Sequence, residues 1–211
     1  MNNEIFIEVL GWVLASYLIG GIPFGYIIGK LRGVDVRAVG SKNIGATNVF
    51  RTVGKKWGIL AFFFDVMKGL LPVLAAKYLA GDDAWRHLPL VTGVASVLGH
   101  TLTPYMKFKG GKGVATAFGM LLGLIPALVG VTFAVFVFFF AVSNFISLGS
   151  CSAALFLSIA VWFKWLGCEG VANLPQAILV SLIAIFVIIK HRSNIVRLVK
   201  GEENKIYFFK K

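Results

Sequence analysis

The chain has 211 residues, 58% of them hydrophobic and only 14% charged, with a mean hydropathy of +0.84. Soluble domains lie nearer half apolar and a quarter charged, so this composition excludes an ordinary soluble fold and points to an integral membrane protein. The net charge of +12 would suggest nucleic acid in a soluble domain. Here part of it is the cytoplasmic excess of Lys and Arg, and no nucleic-acid partner is expected.

Only helices or closed barrels cross a bilayer, and these apolar runs are continuous, without the alternation of barrel strands. A first helical span is expected over residues 5–28, kinked or closely packed at Pro23 and its neighbouring glycines. The polar segment 30–56 follows, with Lys30, Arg32, Arg37, Lys42, Arg51, Lys55 and Lys56 against Asp35 alone. It is the strongest cytoplasmic signal in the chain. Within it Asn43 is placed to cap a short interfacial helix near 44–52.

A second span is expected over 57–79, with Asp65 and Lys68 deep inside it as a mutual ion pair facing the bundle. Asp82, Asp83 and Arg86 follow without basic excess. A third span over 88–102 runs into Lys107, Lys109 and Lys112. Further spans are expected over 113–126, which is short, and over 127–146, 149–166 and 174–189. Lys164 and Glu169 fall at the outer side, Lys164 snorkelling to the surface. The basic tail carries Lys190, Arg192, Arg197, Lys200, Lys205, Lys210 and Lys211. Residues 136 and 138–140 are an aromatic run for lipid or packing.

The expected fold is therefore all-α, a seven-transmembrane-helix bundle in one polytopic domain, 1–211, with the N-terminus outside and the C-terminus cytoplasmic. No internal repeat is present. Cys151 and Cys168 lie near opposite ends of one expected span, about 25 Å apart at about 1.5 Å rise per residue, too far for a disulfide. His87, His100 and His191 are scattered, and no metal or other cofactor is expected.

Three polar segments next to spans carry the candidate chemistry. In the first, Ser41, Lys42, Asn43, Thr47, Asn48 and Arg51 surround short glycines. In a helix Thr47 and Arg51 share a face, as do Asn48 and Arg51, giving a guanidinium fork beside hydroxyl and amide groups. In the second, Lys109, Gly110, Gly111, Lys112 and Gly113 precede a helix. Glycines let backbone N–H groups turn toward an anion, and the helix dipole adds to the pull. It is not a Walker A loop, and as residue types alone it reads equally as a flexible basic turn. In the third, His191, Asn194 and Arg197 follow the last span. His191 is a general base, a phosphate ligand or a helix-terminal cation. Five residues after the three histidines come Thr92, Tyr105 and Val196. No His-x4-Asp pattern exists, which argues against His/Asp acyltransferases using thioester donors. No Cys nucleophile or Gly-x-Ser-x-Gly elbow is present either.

These segments resemble the three signature motifs of the bacterial acyl-phosphate:glycerol-3-phosphate acyltransferases, the PlsY family. The likeness rests on Gly40-Ser41-x-Asn43-x-Gly45-Ala46-Thr47-Asn48-Val49-x-Arg51, on Gly99-His100 with Phe108-Lys109-Gly110-Gly111-Lys112-Gly113-Val114-Ala115-Thr116, and on His191-Arg192-x-Asn194-Ile195-x-Arg197-Leu198-x-x-Gly201-x-Glu203. Ile44 stands where many members carry Pro, and Leu102-Thr103-Pro104 where Phe-Pro is usual. The resemblance implies acyl transfer from acyl phosphate to the 1-hydroxyl of glycerol 3-phosphate, giving lysophosphatidic acid and phosphate. This is the first acylation of phospholipid biosynthesis, in a monomer of the bacterial inner membrane acting at the cytoplasmic face.

On this reading Ser41, Arg51, Lys112, His191 and Asn194 are catalytic. Lys42, Asn43, Thr47, Asn48, Lys109, Gly110, Gly111, Gly113, Arg197 and Glu203 bind substrate. The N–H groups of the 110–113 loop, with Lys112, hold the acyl phosphate, Arg51 with His191 and Asn194 holds glycerol 3-phosphate, and Ser41 or Asn48 donates to the oxyanion. The hydroxyl proton goes to His191 or to a substrate phosphate oxygen, the latter favoured because no carboxylate–His pair is evident. The alternative is a transporter or flippase for a phosphorylated solute or lipid, and a third reading is a binder of anionic headgroups.

Overall fold

Pro23 divides the first apolar run. Helix α1 (Asn3–Gly21) stops before it and α2 (Phe24–Leu31) begins after it. Proline lacks an N–H and clashes with the preceding turn, so the break falls where the sequence puts it. This computed structural model describes residues 3–81, 85–163 and 174–207. The expectations for Asp82, Asp83, Lys164, Cys168, Glu169, Lys210 and Lys211 lie outside the described residues.

Among the described residues all regular structure is helical. A helix stands at each of the seven expected places, but length separates them. Asn3–Leu31, Lys55–Leu79 and Pro126–Ser143 are long and apolar enough to cross a membrane, and a fourth qualifies if a pair bent by 55° near the C-terminus is one span. The remaining helices are shorter than the about 20 residues that span a bilayer alone.

The chain packs as two compact units, Met1–Leu124 and Ile125–Lys211. In the first, α3 (Ala46–Thr52), α4 (Lys55–Leu79), α5 (Leu88–Thr101), a 3-10 turn (Pro104–Met106) and α6 (Val114–Leu124) follow α1 and α2. The break at Pro23 leaves carbonyls without helical partners. Lys68 Nζ donates to Ile22 O at 2.8 Å, and Thr103 Oγ1 to Gly21 O at 2.6 Å. Thr103, one of the departures from the family pattern, is thereby fully buried. Helices α4 and α6 approach closely because Gly69 and Gly119 each abut backbone of the other helix, where a Cβ would overlap.

The 30–56 segment has its own small core of Ile28, Val36, Ile44, Val49 and Ala61, with Trp57 and Phe64 against it. Burying a Val or Ile side chain contributes roughly 1.5–3 kcal/mol. Val36 and Val49 are fully buried, so this polar, glycine-containing segment is anchored by its few apolar residues. Ile44 joins the same core, which accounts for an apolar residue there.

The second unit holds α7 (Pro126–Ser143), α8 (Ile146–Ala160), α9 (Leu174–Lys190) and α10 (Arg192–Val199). Asn144, left-handed at φ +61°, turns α7 into α8, and its carbonyl accepts from Ile206 N–H at 2.9 Å. That bond ties the tail to the α7–α8 turn. The aromatic run divides in two. Phe136 stacks with Phe133 and Phe140 and meets Gly149 of α8, whereas Phe138 is exposed.

Candidate active site

The first polar segment is organised by one amide. Asn48 is 1% exposed. Its Nδ2 donates to Val36 O at 2.7 Å and to Val39 O at 3.2 Å, and its Oδ1 accepts from Ser41 N–H at 2.9 Å. Both amide hydrogens are therefore occupied. Asn48 staples the loop, and both its hydrogens are held by Val36 O and Val39 O, away from the oxyanion role expected of Ser41 or Asn48. The cap expectation for Asn43 is also corrected. Helix α3 starts at Ala46 with Gly45 as its N-cap residue, and Asn43 Oδ1 accepts from Gly45 N–H at 2.8 Å. This is an Asx-type turn leading into the helix, because a short carboxamide reaches the backbone two residues on. Ser41 and Lys42 are exposed, Lys42 with a left-handed φ of +57°. Thr47 and Arg51 are half-buried at i,i+4 on α3.

The second segment folds back onto the end of α5. Gly110 N–H donates to Thr101 O at 3.2 Å, and Gly111 N–H to His100 O at 3.1 Å. The last carbonyls of a helix lack intrahelical partners, and these two glycines supply them. The expectation that all four N–H groups of the 110–113 loop face the donor therefore fails for the first two. Gly113 has φ +83° and opens directly into α6. Lys109 is exposed and Lys112 half-buried. The preceding Lys107 and Phe108 are both left-handed, at φ +51° and +59°, a strained pair for side-chain-bearing residues.

The third segment begins at a bend of 55° between α9 and α10, with His191 at the junction, 3% exposed. His191 Nδ1 lies 2.8 Å from Val187 O. A carbonyl only accepts, so Nδ1 carries the hydrogen, and the lone pair of a neutral ring is on Nε2. Beyond it, Glu203 gathers the donors. It accepts from Asn194 Nδ2 at 2.7 Å, Arg197 Nε at 2.7 Å and Ser147 Oγ at 3.2 Å. Burial works to raise the Glu203 pKa, but the hydrogen bonds from Asn194 and Arg197 outweigh it and hold the carboxyl below its usual value. Arg192 is exposed on the other side of α10.

Comparison with known proteins gives these segments a common context. The family model for glycerol-3-phosphate acyltransferase matches residues 10–201. The chain belongs to the glycerol-3-phosphate acyltransferase family. A family member of that name from Trichlorobacter lovleyi is 46% identical over 200 residues, covering 93% of this chain and 96% of its own. Among solved structures, PlsY, an integral membrane glycerol 3-phosphate acyltransferase, is similar in two crystal structures. Its glycerol 3-phosphate form has a TM-score of 0.81 at 42% identity, covering 94% of this chain and 96% of its own. Its lysophosphatidic acid form has a TM-score of 0.79 at 41% identity, covering 94% and 95%.

Two residues in this family member exceed what sequence reasoning assigned them. Glu203, expected at the substrate, has its carboxylate occupied by the protein's own donors. His100, quoted within the second motif without a role, stands with its Nδ1 3.6 Å from Asp65 Oδ1. A carboxylate–His pair therefore exists at His100, contrary to expectation, whereas His191 Nδ1 faces the backbone carbonyl of Val187 and not a carboxylate. The available signal was two separate facts, a carboxylate in a span and a histidine ending the next one, and sequence alone does not join them.

Proposed function

We propose that this protein transfers a fatty acyl group from acyl phosphate to the 1-hydroxyl of glycerol 3-phosphate, releasing lysophosphatidic acid and phosphate. The observation that carries the reading is the likeness over 94% of the chain, at 42% and 41% identity, to PlsY in glycerol 3-phosphate and lysophosphatidic acid forms. Those two molecules differ by one acyl group on one hydroxyl. An acyltransferase has use for both, as acceptor and product. A transporter of a phosphorylated solute has no use for the second, and a flippase of a phosphorylated lipid has none for the first.

The residue chemistry supports the same reaction. Acyl phosphate is already activated, so orientation and charge neutralisation supply most of the required rate. With Gly110 and Gly111 facing inward, donor binding falls to Lys112, Gly113 and the first turn of α6, assisted by Lys109. Ser41 donates to the carbonyl oxygen as it becomes an oxyanion. Arg51 and Thr47 on α3, with Lys42 and Asn43 beside them, contribute to binding phosphate. His191 and Asn194 contribute to binding glycerol 3-phosphate, with Arg197 and Asn194 oriented by Glu203. The hydroxyl proton passes to a substrate phosphate oxygen, with His191 Nε2 as the competing acceptor.

The finer membrane assignment belongs to the same proposal. One polytopic domain of seven spans, N-terminus outside, puts both basic loops and the basic tail on the cytoplasmic side of a bacterial inner membrane. The protein acts as a monomer. The test is purified protein in lipid with labelled glycerol 3-phosphate and either palmitoyl phosphate or palmitoyl coenzyme A. Lysophosphatidic acid is expected from the acyl phosphate alone. Product from the thioester alone overturns the donor assignment, and uptake without product favours the transporter.

A further inference from the structure

We propose that Lys68 is a positioning residue for the first polar segment. Its ammonium locks the break between α1 and α2, and so sets the bearing of the helix against which Ser41 and Arg51 are placed. The inference rests on the reading that this segment contributes to acyl transfer, and it adds a residue that acts from inside α4.

Pro23 interrupts a stretch, Asn3–Leu31, that is apolar and long enough to be one span. With φ −89° and ψ 69° it is the centre of an inverse γ-turn, closed by Phe24 N–H donating to Ile22 O at 3.1 Å. The helix that follows, α2, has eight residues. Helices this short depend on tertiary packing, so the direction of α2 is fixed from outside the turn.

Lys68 supplies that hold, because its ammonium touches both sides of Pro23. Nζ donates to Ile22 O at 2.8 Å, before the proline, and lies 5.6 Å from the centroid of the Phe24 ring, after it. Phe24 is in turn stacked on Phe64 of α4, with ring centroids 4.8 Å apart. Asp65 Oδ1 lies 2.7 Å from the same Nζ, and both side chains are 2% exposed. A carbonyl, a carboxylate and a ring face thus surround its three N–H groups. Burying an ion pair seldom stabilises a fold relative to apolar residues of similar volume, and one inside a membrane helix points to a functional role. Thr103 adds a neutral hold by donating to Gly21 O at 2.6 Å.

Helix α2 is the floor of the first polar segment. Gly25 lies so close to the Ile44 carbonyl that a Cβ there would overlap it. Ile28 shares one small core with Val36, Ile44 and Val49. The Val36 carbonyl in turn receives the Asn48 amide, whose Oδ1 holds Ser41 N–H. The path from the ammonium therefore runs through Ile22 and Phe24, along α2, into this core, and out to Ser41 and to Arg51 on α3. A misplacement of about 1 Å by a change far from the chemistry can cost about 10²-fold in rate. Without the ammonium α2 swings at Pro23, and Ser41 and Arg51 move with it.

The experiment compares full-length wild type in lipid with a Lys68→Met/Asp65→Asn double variant and with Phe24→Leu. The double variant removes both charges together, so that neither is left buried alone. Phe24→Leu removes the ring that the ammonium grips and leaves the ion pair in place. Measured below every melting temperature are kcat, KM for each substrate, and amide hydrogen exchange over residues 38–52 and 192–199. In the double variant kcat is expected to fall about tenfold, with both KM values within about threefold, since binding is shared among several cations. Exchange accelerates over 38–52 and not over 192–199. Phe24→Leu shows the same pattern with a loss of about threefold. Unchanged kcat in the double variant overturns the proposal, and so does unchanged exchange over 38–52. Equal acceleration of both segments also overturns it, because that marks general destabilisation. If the double variant fails to fold, Phe24→Leu decides, and unchanged kcat and 38–52 exchange there overturn it. A wild type that makes no lysophosphatidic acid defeats the acyl-transfer reading instead, and exchange over 38–52 still tests the lock.

Discussion

The segment around Asn48 and the segment around Glu203 do the same mechanical task with opposite electrostatics. Each uses one buried side chain to gather three partners and present the remaining polar groups. Asn48 is neutral, and its partners are two carbonyls and one N–H, all backbone. Glu203 is anionic, and its partners are side-chain donors, one of them a guanidinium. A clamp on backbone fixes the path of the chain, whereas a clamp on side chains fixes the aim of the groups it holds. The first is set by shape and indifferent to pH. The second depends on charge.

The largest effect is expected where the backbone clamp presents its chemistry. The role proposed for Ser41, donor to the developing oxyanion, predicts that Ser41→Ala lowers kcat by about 10²–10³-fold. KM for both substrates and the melting temperature should change little, because the clamp uses Ser41 N–H and not its hydroxyl. Steady-state kinetics on the purified variant check this. A variant with near wild-type kcat removes Ser41 from that role.

The next test breaks the clamp itself. Asn48→Asp replaces an amide that donates to Val36 O and Val39 O with an oxygen facing both carbonyls. Leaving buried groups unpaired costs about 1–3 kcal/mol each, more when the group is charged. Asn48→Asp should lower the melting temperature more than Asn48→Ala, by roughly 5–10 °C relative to wild type. The reverse order, measured by thermal melting in one detergent, contradicts the staple.

These two segments were legible to the same depth. The residues of both segments were plain in the sequence, because polar Gly, Asn, Arg and His are conspicuous next to apolar spans. Their direction was not. A buried Asn and an exposed Asn look alike in a string of letters, and Asn48 was readable as a donor to substrate until Val36 and Val39 were placed behind it. Glu203 lies nine residues beyond Asn194, past the end of α10, and only the fold brings the two together. Apolar runs located the helices to within a few residues at most ends. Reading Asn43 as the cap overstated α3, which begins at Ala46 with Gly45 as its N-cap residue. His100 and Asp65 sit on different helices, so no spacing rule connects them.

The charge dependence of the Glu203 clamp gives a pH test. Its carboxyl is held below the usual value in the folded protein, by hydrogen bonds from Asn194 and Arg197 that outweigh burial. A group depressed on folding stabilises fully above its unfolded pKa and loses that contribution as pH falls through the folded value. Wild-type melting temperature should therefore fall on the acid side, below the ordinary glutamate range of about 4.3. Glu203→Gln should melt lower at neutral pH and show a weaker acid slope, so the two curves converge at low pH. Parallel curves rule out a charge-based clamp.

The smallest effect is expected at the most conspicuous ion pair of the first polar segment. Asp35 accepts from Arg37 Nη2 at 2.7 Å and lies 3.5 Å from Lys30 Nζ. The side-chain hydrogen bond from Arg37 holds its carboxyl well below the usual carboxylate range. Arg37 also stacks on Tyr26, with its guanidinium carbon 4.5 Å from the ring centroid. Yet this cluster is open to solvent. Exposed pairs gain little, because water and salt screen them and long side chains lose freedom in forming them. Asp35→Asn should leave the melting curve and the kinetics at neutral pH unmoved, although its carboxyl is strongly shifted. A clear loss of stability would mean that a surface pair can anchor a polar loop as firmly as a buried one. The difference between Asn48 and Asp35 would then not come from burial, although burial is what the packing of Val36, Ile44 and Val49 around the segment indicates.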